Sequence, residues 1–309
     1  MMKITEYINS NSIVLNPRNT FTLQKYETLI CKYTSSVDTS NIKTFDYNQD
    51  TLHNKCIIDT LSQFTKCTIL LSNLDVDFPP PKKPYEYDAY FNPSKLPTNH
   101  SNIPYLDKIH TDLLQVLEKN DIQIFAHAVS ISHPNITMIP AGVFAKFSHF
   151  EMKTNKKDIL CYANFGLSCN RWFGNPRNDV VEFIRNKPFI TKENIHSTET
   201  VRRNNLNDTY FYQQISRSKF AICPRGCGID TYRMWDCICL GCIPIVEKYG
   251  GYEQFEDLPI LFINSYKDYA VLNETILSSV YEEMNSRYYN YSKLTIDYWV
   301  DKLECIRMS

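Results

Sequence analysis

The segment Lys219-Phe-Ala-Ile-Cys-Pro-Arg-Gly-Cys-Gly-Ile-Asp-Thr-Tyr-Arg-Met-Trp-Asp-Cys-Ile-Cys-Leu-Gly-Cys-Ile-Pro-Ile-Val246 reads as strand, tight loop, helix, strand. Phe220 to Cys223 is a short apolar run closed at once by Pro224 and two glycines, the pattern of a buried parallel strand that ends in a turn. Gly226 and Gly228 permit positive φ and let the backbone come close to a ligand. Asp230 or Thr231 supplies an oxygen that can cap a helix. Met234 and Ile238, with Trp235 and Cys239, give that helix an apolar stripe, and Gly241 stops it. Cys242 to Val246 is the next buried strand. The unit is therefore β-loop-α-β, with a glycine-bearing loop at the C-terminal edge of a sheet, where α/β proteins bind ligands.

Anion binding is the chemistry that suits such a loop. A helix N-terminus carries about half a positive charge together with unpaired N–H groups. Arg225 and Arg233 add planar, permanently charged forks able to hold two phosphate oxygens. The plainer alternative pairs Arg233 with Asp236 three residues on and leaves Arg225 solvated.

Pro224-Arg225-Gly226, Gly228, Asp230-Thr231, Arg233, Trp235-Asp236 and Gly241-Cys242-Ile243-Pro244-Ile245 resemble the donor-binding signature of the exostosin-like glycosyltransferases, inverting enzymes of the two-domain GT-B fold. The likeness is dense over about 30 residues, loose over 158 to 265, and absent from the first 150. It implies an α/β chain of two Rossmann-like domains facing a cleft: an acceptor-side domain at 1–152 and a nucleotide-sugar domain with terminal helices at 153–309. It implies a UDP- or GDP-sugar donor and a glycan acceptor, with no metal and no other cofactor. Gly166 and Arg177 match the family's first nucleotide-facing loop, and Arg171 lies in the same loop. Asp236 matches an acidic position, and its place along the helix makes it the expected ribose ligand.

The remainder of the chain is compatible with two α/β domains. At 309 residues it is long enough for both, and 43% apolar residues allow substantial cores. A net charge of −1 argues against a nucleic-acid-binding surface. No run approaches a membrane span and no signal peptide is evident, so a cytoplasmic protein is expected. Eleven cysteines scattered through strands and helices fit reduced, buried thiols. Although Cys239 and Cys242 have zinc-like spacing, Cys237 and Cys239 point to different faces of one helix, which disfavours a metal site.

Strands are expected at 68–71, 122–129, 136–139, 159–164 and 260–263, and helices at 56–64, 103–119, 179–185, 210–216, 269–289 and 292–307. The Pro/Tyr-rich stretch 78–103 reads as a long surface loop. Inverting transfer needs a base for the acceptor hydroxyl. His127 and His133, near strand ends, are candidates; Asp75 and Asp77 are the alternatives. Asp75-Val76-Asp77 is also a short DxD motif of the kind that holds a divalent metal in single-domain GT-A glycosyltransferases. That metal-dependent reading stays open, as does a non-catalytic nucleotide- or glycan-binding module.

Overall fold

The computed structural model of the chain describes residues 42–46, 66–72, 103–119, 121–143, 156–167, 176–193, 195, 208–226, 228–295, 297–299 and 301–302. Within them the protein is mixed α/β, built on two parallel sheets. The first has the order β1-β2-β3-β4: β1 Ile42–Asp46, β2 Lys66–Ser72, β3 Asp121–Ala126 and β4 Ile136–Met138. Helix α1, Ile103–Lys119, leads into β3 and buries Leu113 and Leu117.

The second sheet contains β5 Ile159–Ala163, β6 Ile190–Lys192, β7 Ser218–Ile222, β8 Ile243–Glu247 and β9 Leu261–Ile263, in the order β6-β5-β7-β8-β9. All neighbours in it are parallel. Counted along the chain, this order runs second, first, third, fourth, fifth, one of the doubly wound orders, and the order reverses between β5 and β7.

The buried residues of these strands alternate between two apolar clusters, which is why the strands read as continuous apolar runs. Cys161, Ala163, Phe220, Ile222 and Ile245 face helices α2 (Pro176–Ile184) and α5 (Glu274–Asn285), together with Tyr266 and Tyr269. Tyr162, Ala221, Cys223 and Val246 face α3 (Asp208–Arg217) and α4 (Tyr232–Cys239). Proline suits the first position of α2, where its missing N–H costs no helical bond.

Helix α4 ends as expected. Gly241 takes φ 65° and its N–H donates to Ile238, while Cys242 N–H donates to Cys237 O at 2.9 Å. These two bonds form a Schellman motif.

The cluster on the α3/α4 side continues into the first sheet through Ile124, Val129, Met138 and Ile139. A short 3₁₀ helix, Gly250–Phe255, makes the junction: Gly251 N–H donates to Val129 O at 3.2 Å and Gly250 N–H to Ser130 O at 3.3 Å. Ala128, at φ 50°, turns the chain immediately before those carbonyls.

Several expectations are corrected. The single helix expected at 269–289 is a 3₁₀ helix, Tyr266–Ala270, followed by α5. Asn273 separates them because its side chain accepts from Ile276 N–H and so starts a new helix. The expected helix at 292–307 begins as a 3₁₀ turn, Tyr291–Leu294. Strand β6 was not expected, being only three residues long. The helix expected at 56–64, and the proposed loop up to residue 102, lie outside the described residues. Among the described residues, no helix is long and apolar enough to cross a membrane.

Candidate functional site

Because the second sheet is parallel, the loops after β5 and β7 leave it on the same edge and diverge at its switch point. The first carries Gly166 and the second carries Arg225 and Gly226. Arg177, in the first turn of α2, spans the two: its Nε donates to Arg225 O at 2.9 Å and its Nη1 to Gly166 O at 2.7 Å. On the other side of the same residue, Arg225 N–H donates to Tyr266 Oη at 3.2 Å. Gly226 N–H closes a tight turn onto Gly228 O at 3.0 Å.

The site has a positive character with one acid beside it. Arg225 is buried, at 3% exposure, and Glu247 at the end of β8 is 9% exposed. The Tyr266 hydroxyl is pushed well above its usual range by burial first and by Glu247 next, with Arg225 and Arg177 pulling the other way. Glu247, Arg225 and Arg177 therefore all lie within electrostatic reach of the Tyr266 hydroxyl.

Room for a ligand is found beside the glycines. Among the described residues, a Cβ added at Gly166 would meet nothing within 4 Å. One added at Gly226 would meet only Arg177 Nη2 at 3.3 Å and Thr231 Cγ2 at 3.8 Å. Thr231 occupies the N-cap position of α4 in an extended conformation, φ −129° and ψ 138°. Its Oγ1 is buried with no hydrogen-bond partner among the described residues, and the same holds for Arg233 Nε. Buried polar atoms in that state are rare in native proteins and call for an account.

The expected side-chain cap is not made. Asp230 turns instead to the junction, accepting from Ala141 N–H at 2.7 Å and from Trp235 Nε1–H at 2.6 Å. Burial pushes its carboxyl up to about 7 against those donors. Arg233 is likewise not brought to the Arg177–Arg225 loop. Its guanidinium lies 5.9 Å from the Phe211 ring of α3, on the opposite face of the sheet from Tyr266. Asp236 is 3% exposed, so the solvated pair with Arg233 weighed as its alternative is not what the structure shows.

The expected bases separate. His127 is buried at the end of β3 with Nδ1 2.9 Å from Ile139 O. Burial holds it down at about 4, against the pull of the Ile139 and Pro140 carbonyls. That suits a buried, neutral imidazole rather than a base working near pH 7. His133 lies where the chain has doubled back toward the start of β4. Its Nδ1 accepts from Asn135 N–H, whose side chain reaches Leu117 O of α1. Asp75, Asp77 and Arg171 lie outside the described residues.

Among the described residues, no group of three or more His, Cys, Asp or Glu side chains could hold a metal. Cys223, Cys237 and Cys242 are buried free thiols, the first two with sulfurs 3.8 Å apart. Sequence reasoning missed two residues of the site. Glu247 had a visible signal, an acid directly after an apolar strand. Tyr266 had none, being one of 21 tyrosines whose relevance arises only from the packing of a 3₁₀ helix under the loop. Comparison with protein-family models and with curated proteins finds no match to this chain.

Proposed function

We propose that the chain is an inverting glycosyltransferase, moving a sugar from a UDP- or GDP-sugar to a hydroxyl of a glycan acceptor. The observation that carries this reading is the convergence, at the switch point of a doubly wound parallel sheet, of Arg225, Gly226, Gly166 and the N-terminus of α4 with its buried Thr231 hydroxyl, unbonded among the described residues. That arrangement suits a diphosphate, and the motif likeness in 219–246 points to a sugar nucleotide among diphosphate ligands. The two sheets would then be the halves of a GT-B arrangement, with the acceptor on the side of the first sheet.

In this reading Arg225 and the amides that open α4 stabilise the charge that gathers on the diphosphate as the sugar leaves, without an obligatory metal. The test is a screen of UDP- and GDP-sugars for thermal stabilisation and for donor hydrolysis in the presence of EDTA. Stabilisation and turnover by one of them in EDTA are expected. If turnover stops in EDTA and returns with manganese, and Asp75→Asn reproduces the loss, the metal-dependent DxD reading replaces this one.

A further inference from the structure

We infer that Arg177 and Tyr266 are positioning residues that fix the Arg225 backbone from both sides, so that Arg177 acts on the ligand through the loop and not as a phosphate ligand itself. The inference deepens the functional reading above and rests on it for the identity of the ligand.

The geometry is specific to one residue, whose two flanking peptide units are each held by a different side chain. The N–H of Arg225 is held by the Tyr266 hydroxyl and its C=O by Arg177 Nε, while Arg177 Nη1 ties the same guanidinium to Gly166 O in the neighbouring loop. Two loops that part at the switch point are thus bridged by one planar fork, which a lysine cannot imitate because it offers a point charge on a flexible stem. Tyr266 is itself rigid. It is 1% exposed, and its ring stacks on Tyr269 with centroids 6.3 Å apart and planes 5° apart. The hydroxyl of Tyr269 in turn donates to Ile245 O of β8 at 3.2 Å. The loop that carries Arg225 therefore inherits its position from the sheet on one side and from α2 on the other. A site prepared in this way does not have to order its loop when the ligand arrives.

A phosphate-contacting arginine and a positioning arginine respond differently to substitution. If Arg177 held phosphate itself, Arg177→Ala would flatten the salt dependence of nucleotide binding as well as weaken it, because a charged contact is lost. If it bridges two carbonyls, Arg177→Lys should lose about as much as Arg177→Ala.

The experiment has two readouts on the full chain. In the ligand-free protein, amide hydrogen exchange over residues 223–231 should be about tenfold faster in Tyr266→Phe and in Arg177→Lys, with exchange in β3 and α5 unchanged. In calorimetric titrations with UDP and with GDP, both variants should bind about tenfold more weakly than the parent. Their dependence on salt should match the parent's, because no phosphate contact has been removed. Parent-like exchange in both variants, or parent-like affinity in Arg177→Lys, overturns the inference. If the parent binds neither UDP nor GDP, the nucleotide reading fails, while the exchange result still decides whether these two residues hold the loop.

Discussion

Two sets of glycines in the second unit look alike in sequence and behave as opposites in the structure. Among the described residues, Gly166 and Gly226 border space: a Cβ at the first meets nothing within 4 Å and at the second the end of the Arg177 side chain and a threonine methyl. Gly250 and Gly251 border backbone. A Cβ on Gly250 would lie 2.1 Å from Ser132 N, and one on Gly251 would lie 2.3 Å from Val129 O. The first set leaves an opening at the sheet edge, and the second lets two chain segments touch where the sheets join. Glycine in a loop thus has two physical meanings, and only the neighbours distinguish them.

The comparison breaks most sharply by adding one methyl to each set. Gly251→Ala should cost about 3 kcal/mol, since the obstructing atom is backbone and cannot swing aside. Gly226→Ala should change stability by less than about 1 kcal/mol, because the Arg177 Nη2 contact at 3.3 Å has to give by only a few tenths of an ångström, while nucleotide affinity falls. Chemical denaturation of both variants checks this, and equal losses would erase the distinction between junction and opening.

The junction also carries two buried titrating groups with opposite effects on stability. Asp230 holds its proton up to about 7 in the folded protein instead of its ordinary 3.8. The folded state therefore binds more protons between those values, and this contribution is lost as pH rises through the window. His127 sits at about 4 instead of 6.5. Here the unfolded state binds more protons, so this contribution is lost as pH falls from 6.5 to 4. Across the shared interval the two oppose each other. Asp230→Asn should make the thermal midpoint rise with pH between 4 and 6.5, whereas His127→Gln should make it fall between 4 and 7. Midpoints measured from pH 4 to 8 check both signs, and slopes of the same sign in the two variants would contradict the placement of these groups.

A smaller effect is expected at Asp236. The residue is 3% exposed in the ligand-free protein, so Asp236→Asn should lower the unfolding free energy by about 1 kcal/mol while nucleotide affinity stays put. A raised donor KM with unchanged stability would instead restore the ribose role that its acidic position suggests.

The central architecture was legible because it rests on local signals. The apolar run at 220–223, the stripe on α4 and the stop at Gly241 each name one element, and their order makes the strands parallel. Arg225, Gly226 and Gly166 were legible as a site for the same reason, since they end strands of that sheet. What could not be read was the direction in which polar side chains turn. Asp230 and Thr231 share the chemistry of caps, yet Asp230 is drawn to Trp235 on the helix itself and to Ala141, a donor that becomes a neighbour only when the two sheets meet. Arg233 lies on the face of α4 that meets α3, and its guanidinium packs over Phe211. Nor does any spacing announce that Arg177 spends its donors on two carbonyls, or that Tyr266 lies beneath the loop.

The central claim, that the opening between the β5 and β7 loops seats the diphosphate of a sugar nucleotide, meets its most direct test in Arg225→Ala. With the donor found by the nucleotide-sugar screen, kcat should fall by about 100-fold, corresponding to roughly 3 kcal/mol of lost stabilisation of a developing anion. Unchanged transfer kinetics in a folded Arg225→Ala variant would place the nucleotide somewhere else and contradict the account.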